Sequence, residues 1–271
     1  MLNGNILLLL RRSLFCLLLV NVTSALAGSP YAGLRPGGTS KVIEIVDGDT
    51  VRLVDGREVR LVGMQAPKLP LGRKNFKKWP LADEAKSELS DLTFRKTVHF
   101  GFGGQSKDRH GRILAHLFLD NAGKPGLWVQ GQMLEIGMAR TYTFYDNRSL
   151  VRELYEKERL ARDRSRGIWR LNYYKVRDAT AVARDIGSFQ LVEGRPVRVA
   201  KSGQKVFVNY SEDWKQDFTV LIQPKARRMF EELGISYRDF AGQNIRVRGW
   251  VRSWNGPLIE ITHPEQIQLL D

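Results

Sequence analysis

The alternation of apolar and polar residues over positions 42–62 predicts a β-meander. Residues 42–46, 51–54 and 59–62 are rich in β-branched apolar side chains, and Asp47-Gly48-Asp49 and Asp55-Gly56 between them are typical turn sequences. Two carboxylates are therefore expected at the bend between the first two strands.

Apolar residues that recur every three or four positions predict helices after the meander. Residues 81–92 place Leu81, Ala85, Leu89 and Leu92 on one helical face, which is typical of a helix packed on a sheet. Two more helices are expected over residues 128–136 and 147–166, and two more strands over 97–102 and 113–119.

A second block of strand patterns begins at Phe189. Its predicted strands cover residues 189–200, 206–210, 218–222, 244–253 and 258–262, with a helix over 224–233. Three strands, a helix and two strands is the order of a small OB barrel. Since the first half also shows a meander, a helix and further strands, we predict a mainly β fold with packed helices: two barrels of related design.

Composition divides the chain into five predicted segments. They are a signal peptide (1–27), a flexible lead-in rich in Gly, Pro and Ser (28–40), a first barrel domain (41–170), a linker (171–187) and a second, OB-like domain (188–271). The signal peptide is predicted from two arginines, an apolar run and a cleavage sequence: Arg11 and Arg12, residues 14–20, and Ala25-Leu26-Ala27. The alternatives are a retained anchor and, from the arginine pair, a twin-arginine signal.

Export changes what chemistry is expected of the mature chain. The only cysteine, Cys16, lies in the predicted signal peptide, so the mature part has no disulfide or thiol chemistry. We expect a periplasmic or secreted protein with no stable membrane partner once the signal is removed. The sequence gives no prediction of oligomeric state.

The charge of the chain favours polyanions as partners. It contains 43 Lys and Arg against 29 Asp and Glu, for a formal net charge of +14 and a pI of about 10.0. Such a charge predicts attraction to nucleic acid first and to an anionic membrane surface second. The alternative is that the charge only keeps the protein soluble.

Candidate chemistry lies in the meander. Asp49 can hold a cation and Arg60 can face an anion, so together they predict a site for a phosphate with a divalent metal. The competing interpretation is an ordinary Asp-Gly turn beside a surface arginine.

Four motifs in one order resemble the thermonuclease (staphylococcal-nuclease-like) family across about residues 41–170. They are Val42-Ile43 with Asp47-Gly48-Asp49-Thr50-Val51, then VRLVGMQAP at 59–67, DRHGRILA at 108–115 and Gly167-Ile168-Trp169. The resemblance implies a calcium ion bridging two loop aspartates and the phosphate, two arginines on the phosphodiester, and a glutamate acting on water. It places Asp49 as the first metal ligand and Arg60 with Arg112 as the arginine pair.

The chain departs from the family where metal binding and water activation would be completed. The second aspartate position is Gln65, the carbonyl ligand position is Ala66 and the glutamate position is Lys68. A divalent cation is therefore expected to bind much more weakly, and a missing base would cost roughly 10²- to 10⁴-fold in rate. Lys68 can instead contact a phosphate. Replacement carboxylates could come only from nearby acids such as Asp47, Asp83 and Glu84.

Other residues are weaker candidates. His110 and Tyr142 lie where the family presents groups to the nucleotide, although packing is the commoner role of such an aromatic. His99, His116 and His263 have no metal-ligand spacing and are interpreted as structural. In the second barrel, basic and aromatic residues alternate in a way typical of a stacking platform or, equally, of a solvated strand: Trp214, Arg246, Arg248, Trp250, Arg252 and Trp254.

The sequence leaves three functions open. The first is a phosphodiester hydrolase (nuclease) with an atypical metal and base site, which the intact Asp49, Arg60 and Arg112 favour. The second is a nuclease fold that binds DNA or RNA without cleaving it, which Gln65 and Lys68 favour. The third is a periplasmic structural or interaction protein whose basic surface meets the envelope.

Overall fold

The computed structural model of the protein describes residues 30–213 and 217–270. The predicted signal peptide, the first two residues of the predicted lead-in and Trp214 lie outside the described residues. Within the described part, no helix has the length and apolar character needed to cross a bilayer.

The first half of the chain forms a five-stranded barrel with β7 added at its edge and three packed helices. Its elements are β1 (Arg35–Asp47), β2 (Thr50–Leu53), β3 (Glu58–Leu61), β4 (Gly63–Gln65), α1 (Ala82–Thr93), β5 (Thr97–Phe102), β6 (Ile113–Asn121), β7 (Lys124–Trp128), α2 (Val129–Glu135), β8 (Arg140–Tyr142) and α3 (Val151–Asp163). A 3-10 turn at Gly167–Arg170 follows.

Strand β1 is long enough to serve two neighbours, which is what closes the first barrel. Its second half pairs with β2 and its first half with β5, both antiparallel. Parallel pairing of β3 with β6 joins the remaining edges, with Arg60 opposite Leu114. Apolar side chains from these strands and from α1, α2 and α3 fill a single core.

The second half repeats this strand order. Its elements are β9 (Arg177–Asp178), β10 (Phe189–Gly194), β11 (Arg198–Ser202), β12 (Lys205–Asn209), β13 (Thr219–Ile222), α4 (Pro224–Glu232), β14 (Ile245–Ser253), β15 (Pro257–Ile261) and β16 (Ile267–Leu269). The order β11-β12-β13-β15-β14-β10, with β13 parallel to β15, matches that of the first barrel. The predicted fold class, mainly β with helices and two barrels of related design, is confirmed.

Two segments predicted to be irregular are ordered. Residues 35–40 of the predicted flexible lead-in belong to β1, and a Cβ on Gly37 would lie 2.3 Å from Phe102 Cε2, so glycine is needed for the strand to pass. In the predicted linker 171–187, β9 pairs with β10 and Val182 is fully buried. In both segments, pairing with a neighbouring strand supplies the order.

The two barrels share a packed junction. An apolar cluster joins the end of α3 and the following turn to the first strand of the second barrel; its buried members are Ala161, Ile168, Trp169, Tyr174, Phe189 and Leu191. An ion pair between Arg248 of β14 and Glu158 of α3 crosses the same junction, with both side chains 1% exposed. We refer to this region as the barrel junction.

Candidate functional site

The acidic turn, residues 47–49 between β1 and β2, is packed against the chain that leaves β4 and against α1. Asp47 and Asp49 are 4% and 0% exposed. A Cβ on Gly48 would lie 2.7 Å from the Ala66 Cβ and 2.9 Å from the Ala85 Cβ, so only glycine lets the turn come this close. The turn therefore buries two carboxylates that require positive partners.

Lys68 supplies the first of those partners. Its ammonium Nζ lies 2.6 and 2.5 Å from the two carboxylate oxygens of Asp49 and 3.0 Å from Asp47 Oδ2. The Lys68 side chain is only 17% exposed. The predicted phosphate contact of Lys68 is therefore not what the structure presents: the ammonium is directed into the acidic turn.

Arg60 supplies the second positive charge and is also directed inward. Its Nη2 lies 3.2 Å from Asp49 Oδ2 and donates to the carbonyl of Met64 at 2.9 Å. Its Nη1 donates to the carbonyls of Asp49 at 3.2 Å and Leu61 at 2.8 Å. With four contacts made to the protein and a side chain 13% exposed, Arg60 has little donor capacity left for a phosphate.

The electrostatics of the turn follow from these contacts. Burial by itself would raise the pKa of Asp49, but the charges of Arg60 and Lys68 and the Ala66 N–H that donates to Asp49 Oδ2 at 3.0 Å outweigh it, so the pKa lies below its ordinary value. Two carboxylates and two cations sum to zero charge. The cluster therefore has no net attraction for a further divalent cation.

Arg112, the predicted partner of Arg60, comes close to it through the pairing of β3 with β6 but is held by its own loop. Its Nε and Nη2 each lie 2.7 Å from Asp108 Oδ2. Asp108 also accepts the backbone N–H of His110 at 2.8 Å, and these hydrogen bonds outweigh burial and hold the pKa of Asp108 below its usual range. Arg112 is one third exposed, so it remains more accessible than Arg60.

Gln65 and Ala66, the positions that correspond to metal ligands in the family, make other contacts in this structure. The Gln65 amide oxygen accepts hydrogen bonds from Arg140 Nε at 3.0 Å and Nη2 at 2.8 Å, at the barrel junction. Ala66 is buried and its N–H is used by Asp49. The weak metal-ligand assignment of Gln65 is wrong, because the buried guanidinium of Arg140 draws its amide away from the acidic turn.

The residues present do not fit a calcium ion. Asp83 pairs with Lys78 at the surface and Glu84 is exposed, so neither reaches the acidic turn. Among residues 30–213 and 217–270, no group of three or more His, Cys, Asp or Glu side chains could hold a metal ion. Calcium takes six to eight oxygens and usually more than one carboxylate, whereas here the two carboxylates already bind an ammonium.

The two residues predicted to contact a nucleotide lie apart. His110 is exposed on its loop, where its ring Nε2 accepts from Arg109 Nε at 3.1 Å. Tyr142 lies at the barrel junction, with its ring centroid 4.9 Å from that of Phe189 and its hydroxyl accepting from Trp250 Nε1 at 3.1 Å. Packing is therefore the role of Tyr142 here.

Most of the predicted stacking platform on β14 is used within the protein. Arg248 is buried against Glu158, and Arg246 pairs with Glu193. Trp250 packs edge-on against Phe189 while donating to Tyr142. Arg246 and Arg248 therefore do not form a platform, because this part of β14 covers the barrel junction, whereas Trp250 remains 39% exposed.

Further along, β14 leaves the junction, and its side chains are more exposed there. Arg252 is 67% exposed beside Glu260, and Trp254 is 49% exposed. Trp254 is the member of the predicted set that lines an open groove on the second barrel.

We call this groove of about 410 Å³ the aromatic groove. Its lining comes from β11, β12, β13, β15 and the turn after β14: Arg198, Ala200, Ser202, Phe207, Asn209, Thr219, Trp254, Asn255 and Leu258. Phe207 and Trp254 lie with ring centroids 6.3 Å apart, nearly perpendicular, and Lys205 Nζ is 5.3 Å from the Trp254 ring. The groove thus combines two aromatic faces with basic and amide side chains.

Sequence reasoning missed Phe207, Lys205 and Arg198. A usable signal was present, since Lys205, Phe207 and Asn209 alternate with the buried Val206 and Val208 along β12. That alternation places the three on one outward face. Nothing local in the sequence pointed to Arg140, whose partners Gln65 and Phe189 are distant in the chain.

Comparison with known proteins bears on the first barrel. The model of the family described as Staphylococcal nuclease homologue matches residues 58–171, which is less than half of the chain. Residues 58–171 are thus nuclease-like, and the match includes Arg60, Lys68 and Arg112 but begins after Asp49. The family comparison therefore does not extend to the acidic turn.

One curated relative is similar over part of the chain. An "Uncharacterized 38.1 kDa protein" of Capnoides sempervirens is 36% identical over 92 residues, which are 33% of this chain and 24% of that protein. The chain thus spans about a quarter of the length of the curated relative it matches.

Proposed function

We propose that this protein binds single-stranded nucleic acid on its second barrel and does not cleave it by metal-dependent hydrolysis. The observation that carries the proposal is the aromatic groove, in which Trp254 and Phe207 offer ring faces beside Lys205 and Arg198. Nucleobases stack on aromatic side chains whatever their sequence, and lysine and arginine contact the phosphates between them.

The charge of the whole chain supports the same partner. A net charge of +14 attracts a polyanion at long range and makes its binding sensitive to salt. The nuclease-like first barrel agrees with nucleic acid as the partner. We further propose that the mature protein acts outside the cytoplasm, because residues 1–27 have the pattern of a signal peptide.

The acidic turn is the reason for proposing binding without cleavage. Hydrolysis of a phosphodiester requires stabilisation of the developing charge and an activated water. Here Lys68 and Arg60 are committed to Asp49, and the position compared with the glutamate base is Lys68 itself. Little remains to bind a metal or to take a proton from water.

Hydrolysis is kept as a second candidate because of two specific observations. Arg112 stays one third exposed on the nuclease-like barrel and directly precedes β6, which pairs with the strand of Arg60. Arg60 Nη2 lies 3.2 Å from Asp49 Oδ2. If the protein is a phosphodiesterase, these residues carry the chemistry, with a metal requirement different from that of the family.

One experiment separates the candidates. The full mature chain, residues 28–271, is incubated with single- and double-stranded DNA and RNA in calcium, magnesium, manganese and chelator, and both binding and cleavage are followed. We expect salt-sensitive binding of single strands and no cleavage above background. Cleavage that disappears in an Arg60→Ala, Arg112→Ala variant would establish the enzyme instead, and absence of both would leave an envelope-interaction role.

The aromatic groove gives a quantitative prediction. Trp254→Ala combined with Phe207→Ala should weaken single-strand binding by at least about 30-fold, because base stacking contributes about 1–3 kcal/mol for each of two aromatic residues. Fluorescence anisotropy with a labelled oligonucleotide at fixed salt measures the change. Phe94→Ala is the matched control, since Phe94 is an exposed aromatic, 40% accessible, at the end of α1 on the first barrel. Equal loss in both proteins would reject the groove as the binding site.

A further inference from the structure

The acidic turn carries an inference about folding and cations that is independent of nucleic-acid binding. Three carboxylate oxygens, two from Asp49 and one from Asp47, lie within 3.0 Å of the Lys68 ammonium. The remaining oxygen of Asp47, Oδ1, accepts the Gly48 N–H at 2.7 Å. The oxygen atoms of two buried carboxylates thus converge on one positive centre.

We propose that Lys68 is a built-in cation, which holds the acidic turn closed as a bound divalent ion would, and that removing its ammonium creates a divalent cation site at Asp47 and Asp49. The mismatch between this chain and the calcium site implied by its nuclease-like domain is thereby explained. The cation is still present, but it is covalently attached.

The backbone of Lys68 supports this role. Its carbonyl accepts the N–H of Trp79 at 3.0 Å, which closes the base of the exposed loop 69–78. On its N-terminal side, Lys68 follows Pro67, and the backbone N–H of Ala66 donates a hydrogen bond to Asp49 Oδ2. Because the main chain on both sides is fixed, the ammonium reaches the acidic turn from a preorganised position.

Charge balance makes the ammonium necessary. Asp49 has two cationic partners, Arg60 at 3.2 Å and Lys68 at 2.5 Å, whereas Asp47 has an ion pair with Lys68 only among the described residues. Without Lys68, two buried carboxylates would share the single charge of Arg60. Such a pair either protonates or recruits a cation, and calcium and magnesium are the hard cations that carboxylates prefer.

The test compares the thermal midpoint of unfolding in chelator and in millimolar calcium or magnesium. The variants are Lys68→Gln, which removes the charge, and Lys68→Glu, which adds a third carboxylate. Lys74→Gln and Lys74→Glu are the matched controls, because Lys74 is an exposed lysine of the same loop. Calcium binding is measured on the same samples by titration calorimetry.

The wild-type midpoint should not change with either cation. In chelator, Lys68→Gln should lower the midpoint by roughly 5–15 °C, the range expected when one partner of a buried ion pair is lost. Calcium should recover part of that loss in Lys68→Gln and more of it in Lys68→Glu. The Lys74 variants should remain within about 2 °C of wild type in all buffers.

Three results would overturn the proposal: stabilisation of the wild type by calcium, equal midpoints for Lys68→Gln and Lys74→Gln, or no cation response in Lys68→Glu. If the Lys68 variants do not fold, the proposal is tested on the wild-type protein by chemical modification. Amine acetylation followed by mass spectrometry should modify Lys68 at least about tenfold more slowly than Lys74, and equal rates would reject the built-in cation. Nucleic-acid binding is measured in none of these experiments, so their failure leaves the proposed binding at the aromatic groove standing and removes only the argument against metal-dependent cleavage.

Discussion

Replacing Arg248 by methionine is expected to lower the free energy of unfolding by about 3–5 kcal/mol, the usual cost of leaving one charge of a buried pair without its partner. Arg248 Nη2 lies 2.9 Å from Glu158 Oε2 and Nη1 donates to Oε1 at 3.3 Å. Glu158 would retain the Thr141 N–H at 2.8 Å and a distant Arg162, 3.7 Å away. These contacts place the expected loss toward the lower end of the range.

Urea unfolding followed by circular dichroism measures the loss. The control is Arg159→Met on α3, the helix of Glu158, because its exposed pair with Asp163 should contribute less than about 1 kcal/mol. Arg248→Met with Glu158→Leu should recover part of the stability, because no buried charge is then left alone. Similar losses for Arg248→Met and Arg159→Met would mean that the barrel junction does not depend on this pair.

Acidification from pH 7 to pH 4 is expected to destabilise the protein through two buried histidines. Burial lowers the pKa of His116 to about 3 and, acting with the nearby charges, that of His263 to about 4. An unfolded histidine titrates near pH 6.5, so below that pH the unfolded state binds protons that the folded state does not. Each histidine should therefore cost about 1.4 kcal/mol per pH unit between pH 6.5 and its folded pKa.

The carboxylates act in a different pH window. The pKa of Glu158 lies below its usual range because the charge of Arg248 and the surrounding hydrogen bonds outweigh the opposing effect of burial. Like Asp49, Glu158 therefore contributes stability that is complete above its unfolded pKa and is lost only as the pH falls below about 4. Between pH 6.5 and pH 4 the histidines dominate the slope.

Unfolding midpoints in urea at half-unit pH steps test this prediction. His263→Gln should flatten the dependence between pH 6.5 and pH 4, while His110→Gln, at an exposed position, should leave it unchanged. His263 bridges Thr143 at 2.7 Å and Thr262 at 2.9 Å, so the substitution also lowers stability at neutral pH. An unchanged slope in His263→Gln would contradict the assignment of a neutral buried histidine.

The barrel junction explains why several predicted site residues have other roles. Arg140 donates to Gln65 and, through Nη1, to the carbonyl of Phe189 at 2.9 Å, while Tyr142 contacts Trp250 and Phe189. Arg140 is buried at this junction, with 3% of its surface exposed. The aromatic groove that we propose for nucleic acid lies elsewhere on the second barrel.

Period-two and helical patterns were sufficient for much of the fold. The five predicted strands of the second block and its helix over 224–233 correspond closely to β10 with β11, β12, β13, β14 and β15, and to α4. These patterns are local, because a half-buried strand or helix must present apolar residues at its own period whatever it packs against. A local pattern was not sufficient at residues 35–40. Their Gly- and Pro-rich composition predicted a flexible segment, but they pair with β5 as part of β1.

The sequence by itself determined that the chain folds as two related barrels, that it is strongly basic, and that Asp49, Arg60 and Lys68 belong to one neighbourhood. Only the tertiary structure decided what those residues do. Lys68 reaches the carboxylate of Asp49, and Gln65 turns toward Arg140, 75 residues further along the chain. Such contacts depend on distances of a few ångströms between distant segments, and the free energy of a buried charge depends on those distances.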